Sequence, residues 1–200
     1  RDPEMSRGLG DVYKRQFMKN TEEFYRFYRD KMLCLDAKPN ITHFKLTEFE
    51  RSGKLKAIVT QNIDGLHQRA GSKIVYELHG SILRNYCMKC HKFYDAEYIC
   101  QSKEIPHCKC GGIIKPDVVL YQEGLDDNTV EKSVQAITDA DLLIVGGTSL
   151  NVYPAAGLIQ YRKRTCKLVL INKTKTSADI YCDLVIHDSL GKIFAETKIN

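Results

Sequence analysis

Four cysteines in two close pairs, Cys87-x-x-Cys90 and Cys108-x-Cys110, constrain this chain more than any other feature. Two thiol pairs joined by a short excursion set four soft ligands at the corners of a tetrahedron, the arrangement Zn²⁺ accepts when held by thiolates alone. A small lobe clamped by one structural zinc is the expected product. No secretory signal opens the sequence, and paired thiols in a reducing compartment are more often metal ligands than bridges, so a cytoplasmic protein is expected. The second pair has one intervening residue instead of two, which narrows the chelate loop and leaves Cys100, His91 and His107 as alternative ligands. Cys34, Cys166 and Cys182 each stand alone among hydrophobic neighbours and read as small buried apolar groups.

At 200 residues the chain is long enough for one domain with a real core, or a main domain carrying a small inserted one. The hydrophobic fraction of 43% belongs to a globular protein, and no apolar run approaches bilayer-spanning length. The formal charge of +5 is mild and its lysines and arginines are scattered, which suits a solvated surface.

Outside the cysteine segment, helical and strand signals alternate. Asn20 and Glu23 have the spacing of a helix cap with a returning carboxylate, and Phe24, Phe27, Tyr28 and Met32 recur at helical intervals, predicting a helix over 21–33. A second helix follows Lys38-Pro39-Asn40, runs through Phe44 and Phe49, and stops at Ser52-Gly53. Lys56–Thr60 then reads as a short strand. Val130, Val134 and Ile137 mark another helix, and a further one is expected from Pro154. Leu142–Val145, Leu168–Ile171 and Leu184–Ile186 read as buried strands. Such alternation predicts an α/β fold with a parallel sheet covered by helices on both faces. The segment 81–119 breaks the rhythm and reads as the inserted lobe.

Open parallel sheets bind ligands beyond the carboxyl ends of their strands. Those ends are polar here: Val59-Thr60 runs into Gln61-Asn62-Ile63-Asp64, Val145 into Gly147-Thr148-Ser149, and Ile171 into Asn172. A glycine turn and small donors can approach a sugar or phosphate closely, and three such turns on one sheet edge point to a nucleotide-like ligand. His79, in a Leu-His-Gly turn beside the cysteine lobe, is the acid–base candidate, because imidazole titrates near neutrality. His43, His67 and His187 read as structural or surface residues.

Thr60-Gln61-Asn62-Ile63-Asp64-Gly65-Leu66-His67, Glu77-Leu78-His79-Gly80, the cysteine quartet, Lys115-Pro116-Asp117-Val118-Val119, Gly147-Thr148-Ser149-Leu150 with Val152 and Pro154-Ala155-Ala156, and Ile171-Asn172 occur in the order and spacing of sirtuins. From about Phe17 to the end the chain resembles these NAD-dependent protein-lysine deacylases. The resemblance implies a Rossmann-like domain over 17–80 and 120–200, a zinc-ribbon lobe over 81–119, and a segment 1–16 outside the family. It implies NAD as cosubstrate, acetylated lysine in proteins or peptides as substrate, a monomer, and no specific nucleic-acid or membrane partner. His79 is implied as the general base on a ribose hydroxyl. Asn62, Ile63 and Asp64 are implied at the nicotinamide end, Gln61 at the ribose, and Gly147, Thr148, Ser149, Asn172, Lys173 and Leu190 around the adenosine half. Val119 is implied to hold the acetyl-lysine amide through its backbone, with Tyr121 in the peptide cleft.

Three departures qualify the likeness. Sirtuins open with a strand and a glycine-, serine- and arginine-bearing loop that wraps the NAD phosphates, and 1–16 does not resemble it. The first strand and phosphate loop are therefore expected to be missing, with a join near Gln16-Phe17, exposed apolar faces beside the gap, and little activity from this chain. Tyr121-Gln122-Glu123 stands where the family has aromatic-Gly-Glu. Tyr25-x-x-Tyr28 stands where members that remove acidic acyl groups carry Tyr-x-x-Arg, so acetyl is expected over succinyl, with Arg26 and Arg29 close enough to matter. Two other functions compete. NAD-dependent mono-ADP-ribosyl transfer uses the same activated ribose. A zinc-ribbon module that grips nucleic acid is disfavoured by Asp95, Glu97 and Glu104, which dilute the lobe's charge.

Overall fold

Asn20 accepts a hydrogen bond from the Glu23 N–H at 3.3 Å and so opens helix α1, Thr21–Phe27. This computed structural model describes residues 20–120, 123–148 and 155–198. The segment 1–16, with the expected loss of a first strand and phosphate loop, lies outside the described residues. The helix expected over 21–33 changes character at its midpoint, where Tyr28–Met32 forms a π-turn closed by Leu33 N–H on the Tyr28 carbonyl at 3.0 Å. The wider turn brings Met32 and Leu33 against the core that Phe24, Tyr25 and Tyr28 enter.

The chain divides into two compact units. One holds the described parts of Arg1–Ala37, Asn62–Gly65 and Glu77–Leu125; the other holds those of Lys38–Gln61, Leu66–Tyr76 and Asp126–Asn200. The first unit is wider than the 81–119 segment because α1 and the π-turn add Phe24, Tyr25 and Tyr28 to its core. Strand β3 (Gly80–Cys87) pairs antiparallel with both β4 (Phe93–Tyr94) and β5 (Ile114–Val118), following strands β1 and β2 described below. A short helix, Ala96–Gln101, begins where Asp95 accepts from Tyr98 N–H at 2.8 Å. Phe24 and Tyr25 from α1 and Tyr28 from the π-turn meet Ile82, Ile99 and Ile114 in one cluster. The Tyr25 hydroxyl donates to the Ile114 carbonyl, and Arg29 donates to the carbonyls of Ile99 (3.0 Å) and Glu104.

In the second unit, α2 (Ile41–Arg51) starts with a reciprocal cap. Asn40 Oδ1 accepts from Thr42 and His43 N–H at 3.0 and 3.4 Å, and His43 Nδ1 accepts from Asn40 N–H at 3.2 Å. The helix ends at Ser52, where Gly53 takes φ 74°. Strands β1 (Ile58–Thr60) and β2 (Val75–Glu77) form a two-stranded sheet, with a five-residue helix α3 (Leu66–Ala70) between them in sequence. Numbering the Ala96–Gln101 helix α4, the next is α5 (Asp127–Asp139), whose Asp126 cap accepts from Thr129 N–H at 2.8 Å. Then come β6 (Leu142–Gly146), α6 (Ala155–Leu158), β7 (Lys167–Ile171), β8 (Leu184–Ile186) and α7 (Leu190–Glu196). The sheet β6-β7-β8 is parallel with β7 central, and Leu168 and Leu170 on β7 are fully buried.

Two expectations are corrected. Leu142–Val145 and Leu184–Ile186 are strands but not buried ones: Leu142 and Ile144 are 52% and 42% exposed, and Leu184 is 51% exposed. Residues two apart share a strand face, so one face of β6 is uncovered, and β7 is its only ladder neighbour among the described residues. Of the three isolated cysteines, Cys166 is buried, Cys182 half-buried and Cys34 exposed, because Cys34 falls in the turn beyond α1. No helix among the described residues is long and apolar enough to cross a membrane.

Candidate functional site

The sulfur atoms of Cys87, Cys90, Cys108 and Cys110 all lie within 4.8 Å of one another. Cys87 and Cys110 approach to 3.4 Å and Cys90 and Cys108 to 3.5 Å. A tetrahedral Zn–S₄ centre with bonds of about 2.3 Å has S···S edges of about 3.8 Å, so the cage fits that ion. The N–H groups of Lys89 and Cys90 point at the Cys87 sulfur at 3.4 and 3.5 Å. The Cys108 thiol is drawn down to about 6 by the Cys110 backbone N–H and then by the Tyr94 hydroxyl. Cys90 is pushed up to about 12: the Lys92 N–H favours its thiolate, but the three neighbouring sulfurs outweigh it. Four thiolates this close require a cation. Cys100 stands apart on α4 and His107 Nδ1 faces the Ile105 carbonyl at 2.7 Å, so the cage consists of the four predicted cysteines.

The same unit carries the His79 turn. After β2 the chain turns at His79-Gly80 into β3, and Gly80 takes φ 74°. A Cβ there would lie 2.0 Å from the Asp117 carbonyl oxygen, so glycine alone permits β3 to approach β5 so closely. The His79 carbonyl accepts from Val119 N–H at 3.0 Å. The Ile63 carbonyl accepts from Ile82 N–H at 2.9 Å and Ser81 hydroxyl at 3.4 Å, pinning the Asn62–Asp64 turn to the start of β3. His79, Asn62, Ile63, Asp64 and Val119 therefore come together, while Gln61 belongs to the other unit at the end of β1. A half-buried imidazole beside polar turn residues is suited to proton transfer.

The second unit gathers Gly147, Thr148, Asn172 and Lys173 at the carboxyl ends of its parallel strands. Gly147 N–H donates to the Ile171 carbonyl at 3.1 Å, and Asn172 N–H to the Ile186 carbonyl at 3.0 Å. Asn172 Nδ2 donates to the Thr174 carbonyl at 3.0 Å, and exposed Lys173 follows it. Leu190 opens α7, and its side chain fills the space a Cβ at Gly146 would occupy, 2.6 Å away. Gly147 has φ 65° and faces the same leucine. Thr148 follows directly; Ser149 and Tyr121 lie outside the described residues. Beside Tyr121, Glu123 accepts from Leu120 N–H at 2.9 Å and Lys115 Nζ at 3.2 Å.

The structural histidines are accounted for: His43 caps α2 with its ring 4.7 Å from that of His67, and His187 Nε2 lies 3.1 Å from Asp179. No local sequence pattern marks Arg84, whose guanidinium reaches Glu77 and Asp117 at 2.7 Å each. Its partners are seven and thirty-three residues away, beyond any local pattern.

One unit with a parallel sheet ending in polar turns, and another with a thiolate cage on an antiparallel sheet, define a class that known proteins name. The chain matches the Sir2 family over residues 7–154, a match that begins inside the 1–16 segment, and it belongs to that family. It is 65% identical over 185 residues to the NAD-dependent protein deacetylase of Clostridium acetobutylicum, covering 92% of this chain and 75% of the relative. It is 60% identical over 181 residues to that of Clostridium perfringens, covering 90% and 74%. A Sir2 structure with the inhibitor EX-527, 2'-O-acetyl-ADP-ribose and deacetylated p53 peptide superposes with TM-score 0.87 at 37% identity, over 93% of this chain and 82% of that one. A Sir2–p53 peptide–NAD+ structure gives TM-score 0.83 at 36% identity, over 90% and 78%.

Proposed function

We propose that this protein removes acetyl groups from protein lysines with NAD as cosubstrate, giving nicotinamide and O-acetyl-ADP-ribose. Membership of the Sir2 family and 65% identity to an NAD-dependent protein deacetylase support the reaction class. The observation that carries the residue assignment is the 3.0 Å bond from Val119 N–H to the His79 carbonyl, which joins the base to the strand proposed to hold acetyl-lysine. His79 serves as general base on a ribose hydroxyl after nicotinamide has left, so that the acetyl group passes to the sugar. Asn62, Ile63 and Asp64 serve the nicotinamide end and Gln61 the ribose. Gly147, Thr148, Ser149, Asn172, Lys173 and the Leu190 backbone serve the adenosine half. Tyr121 belongs to the peptide cleft. One Zn²⁺ in the cysteine cage is structural, because four thiolates leave no open position for a water nucleophile. A cytoplasmic location accords with reduced, metal-binding thiols.

Acetyl is preferred over succinyl. Tyr25 and Tyr28 are both fully buried, and the Arg29 guanidinium is committed to two backbone carbonyls and the Tyr25 ring, 5.7 Å away. Arg29 is thus taken up by the fold rather than offered to an acidic acyl chain, and an unpaired buried carboxylate is costly.

The test incubates the chain with NAD and a peptide bearing acetyl- or succinyl-lysine, following nicotinamide and acyl-ADP-ribose by mass spectrometry. Acetyl turnover exceeding succinyl, with a loss of about 100-fold or more in His79→Ala, is expected. Adenylate label that stays on protein, with no O-acetyl-ADP-ribose formed, overturns the proposal in favour of ADP-ribosyl transfer.

A further inference from the structure

The β3–β5 ladder is interrupted beside the proposed base. Gly80 pairs with Val118 and Ser81 with Asp117, but the next pair is Asn85 with Pro116. Ile82, Leu83 and Arg84 thus form a bulge with no partner opposite on β5, and bulges of this kind re-aim a side chain. The side chain so aimed is Arg84. Its NH1 donates to Glu77 Oε2 and its Nε to Asp117 Oδ2, both at 2.7 Å. Glu77 lies two residues before His79, and Asp117 lies two residues before Val119. The Glu77 side chain is only 7% exposed, so its charge depends on that guanidinium. Burial opposes the Arg84 charge, but the hydrogen bonds to Asp117 and Glu77 more than offset it and hold its pKa above the ordinary value.

The same bulge also anchors the nicotinamide-end turn. Ile82 N–H and the Ser81 hydroxyl bond the Ile63 carbonyl, and Leu83 N–H donates back to Ser81 Oγ at 3.2 Å. Three segments meet at Arg84: the one leading to His79, the one leading to Val119, and the bulge that holds Asn62–Asp64.

We propose that Arg84 is a positioning residue, fixing the His79 turn against the Val119 backbone by gripping Glu77 and Asp117 together. The inference rests on the assignment of His79 as base and Val119 as the acyl-lysine contact. A fork of fixed geometry can hold two carboxylates at once, which a lysine ammonium does less well.

Arg84→Met and Arg84→Lys in the full chain test it, with two readouts. In the proposed reaction His79 acts only after nicotinamide has left. Arg84→Met should therefore lower kcat for O-acetyl-ADP-ribose formation by about 100-fold while peptide-dependent exchange of labelled nicotinamide into NAD falls far less. Arg84→Lys should fall between it and the parent. Independently of activity, hydrogen exchange at the Val119 amide should quicken at least about tenfold in Arg84→Met, while the Tyr86 and Lys115 amides of the same sheet keep their rates. An unchanged Val119 amide, or equal loss of exchange and acetyl transfer, overturns the role. If the parent chain shows no acetyl-dependent nicotinamide release, the Val119 amide alone decides for or against Arg84.

Discussion

Strands β3 and β6 are both rich in apolar residues, yet the two units treat them in opposite ways. In the first unit Ile82 on β3 is buried beneath α1, with the Tyr25 hydroxyl, the Arg29 guanidinium, the Arg84 fork and four thiolates tying the surrounding segments together. In the second, Leu142 and Ile144 on β6 face solvent and the strand has one ladder neighbour among the described residues. The difference teaches that a small antiparallel sheet too short for a large core can be closed by cross-links, whereas a parallel sheet depends on strands and helices flanking every member. Stability in the first unit is concentrated at a few identifiable bonds. In the second it is spread along β7 and its neighbours.

Removing the proposed zinc tests the contrast most severely. Structural thiolate sites contribute on the order of 10–16 kcal/mol of apparent binding free energy in small zinc-finger peptides, so chelation should strip amide protection from β3, β4 and β5. Protection along β7 should survive in the same hydrogen-exchange experiment. Simultaneous loss in both units, or purified protein without zinc, breaks the contrast. A matched pair of truncations comes next. Ile114→Ala empties a fully buried site and should cost about 2–5 kcal/mol, whereas Ile144→Ala should cost about 0.5 kcal/mol or less, read from urea midpoints. Equal costs mean that β6 is covered in solution.

The smallest effect concerns acid. Asp183 accepts from Lys167 Nζ at 2.7 Å and from Leu168 N–H at 2.9 Å, and these bonds hold its carboxyl below the usual range. A depressed carboxyl stabilises the fold above its unfolded pKa of about 3.9, and that contribution fades as pH falls through the folded value. Asp183→Asn should therefore lower the urea midpoint slightly at pH 7 and by less at pH 3. The same cost at both pH values refutes the linkage.

Elements with strong local signals were legible from sequence. The Asn40 cap and the Gly53 stop bound α2, and the β-branched runs became β1, β6, β7 and β8. Leu66–Ala70, Ala96–Gln101 and Val75–Glu77 escaped notice because five, six and three residues leave no room for a period to show. Burial was less legible still, since composition cannot say which faces of a strand are covered; hence the surprises at Ile144 and Cys34. The cysteine cage was readable from spacing. His79 was a candidate from its turn alone, the family likeness supplied the proposed roles of Asn62, Asp64 and Val119, and Arg84 was invisible because its partners meet it only in three dimensions.

Gly146 and Leu190 share one volume: the leucine methyls lie 2.6 and 3.2 Å from where a Cβ at position 146 would stand. A side chain gained at position 146 would have to push those methyls aside. In genetic terms position 190 is where a suppressor of such a gain should arise, since carbon lost there gives back the volume.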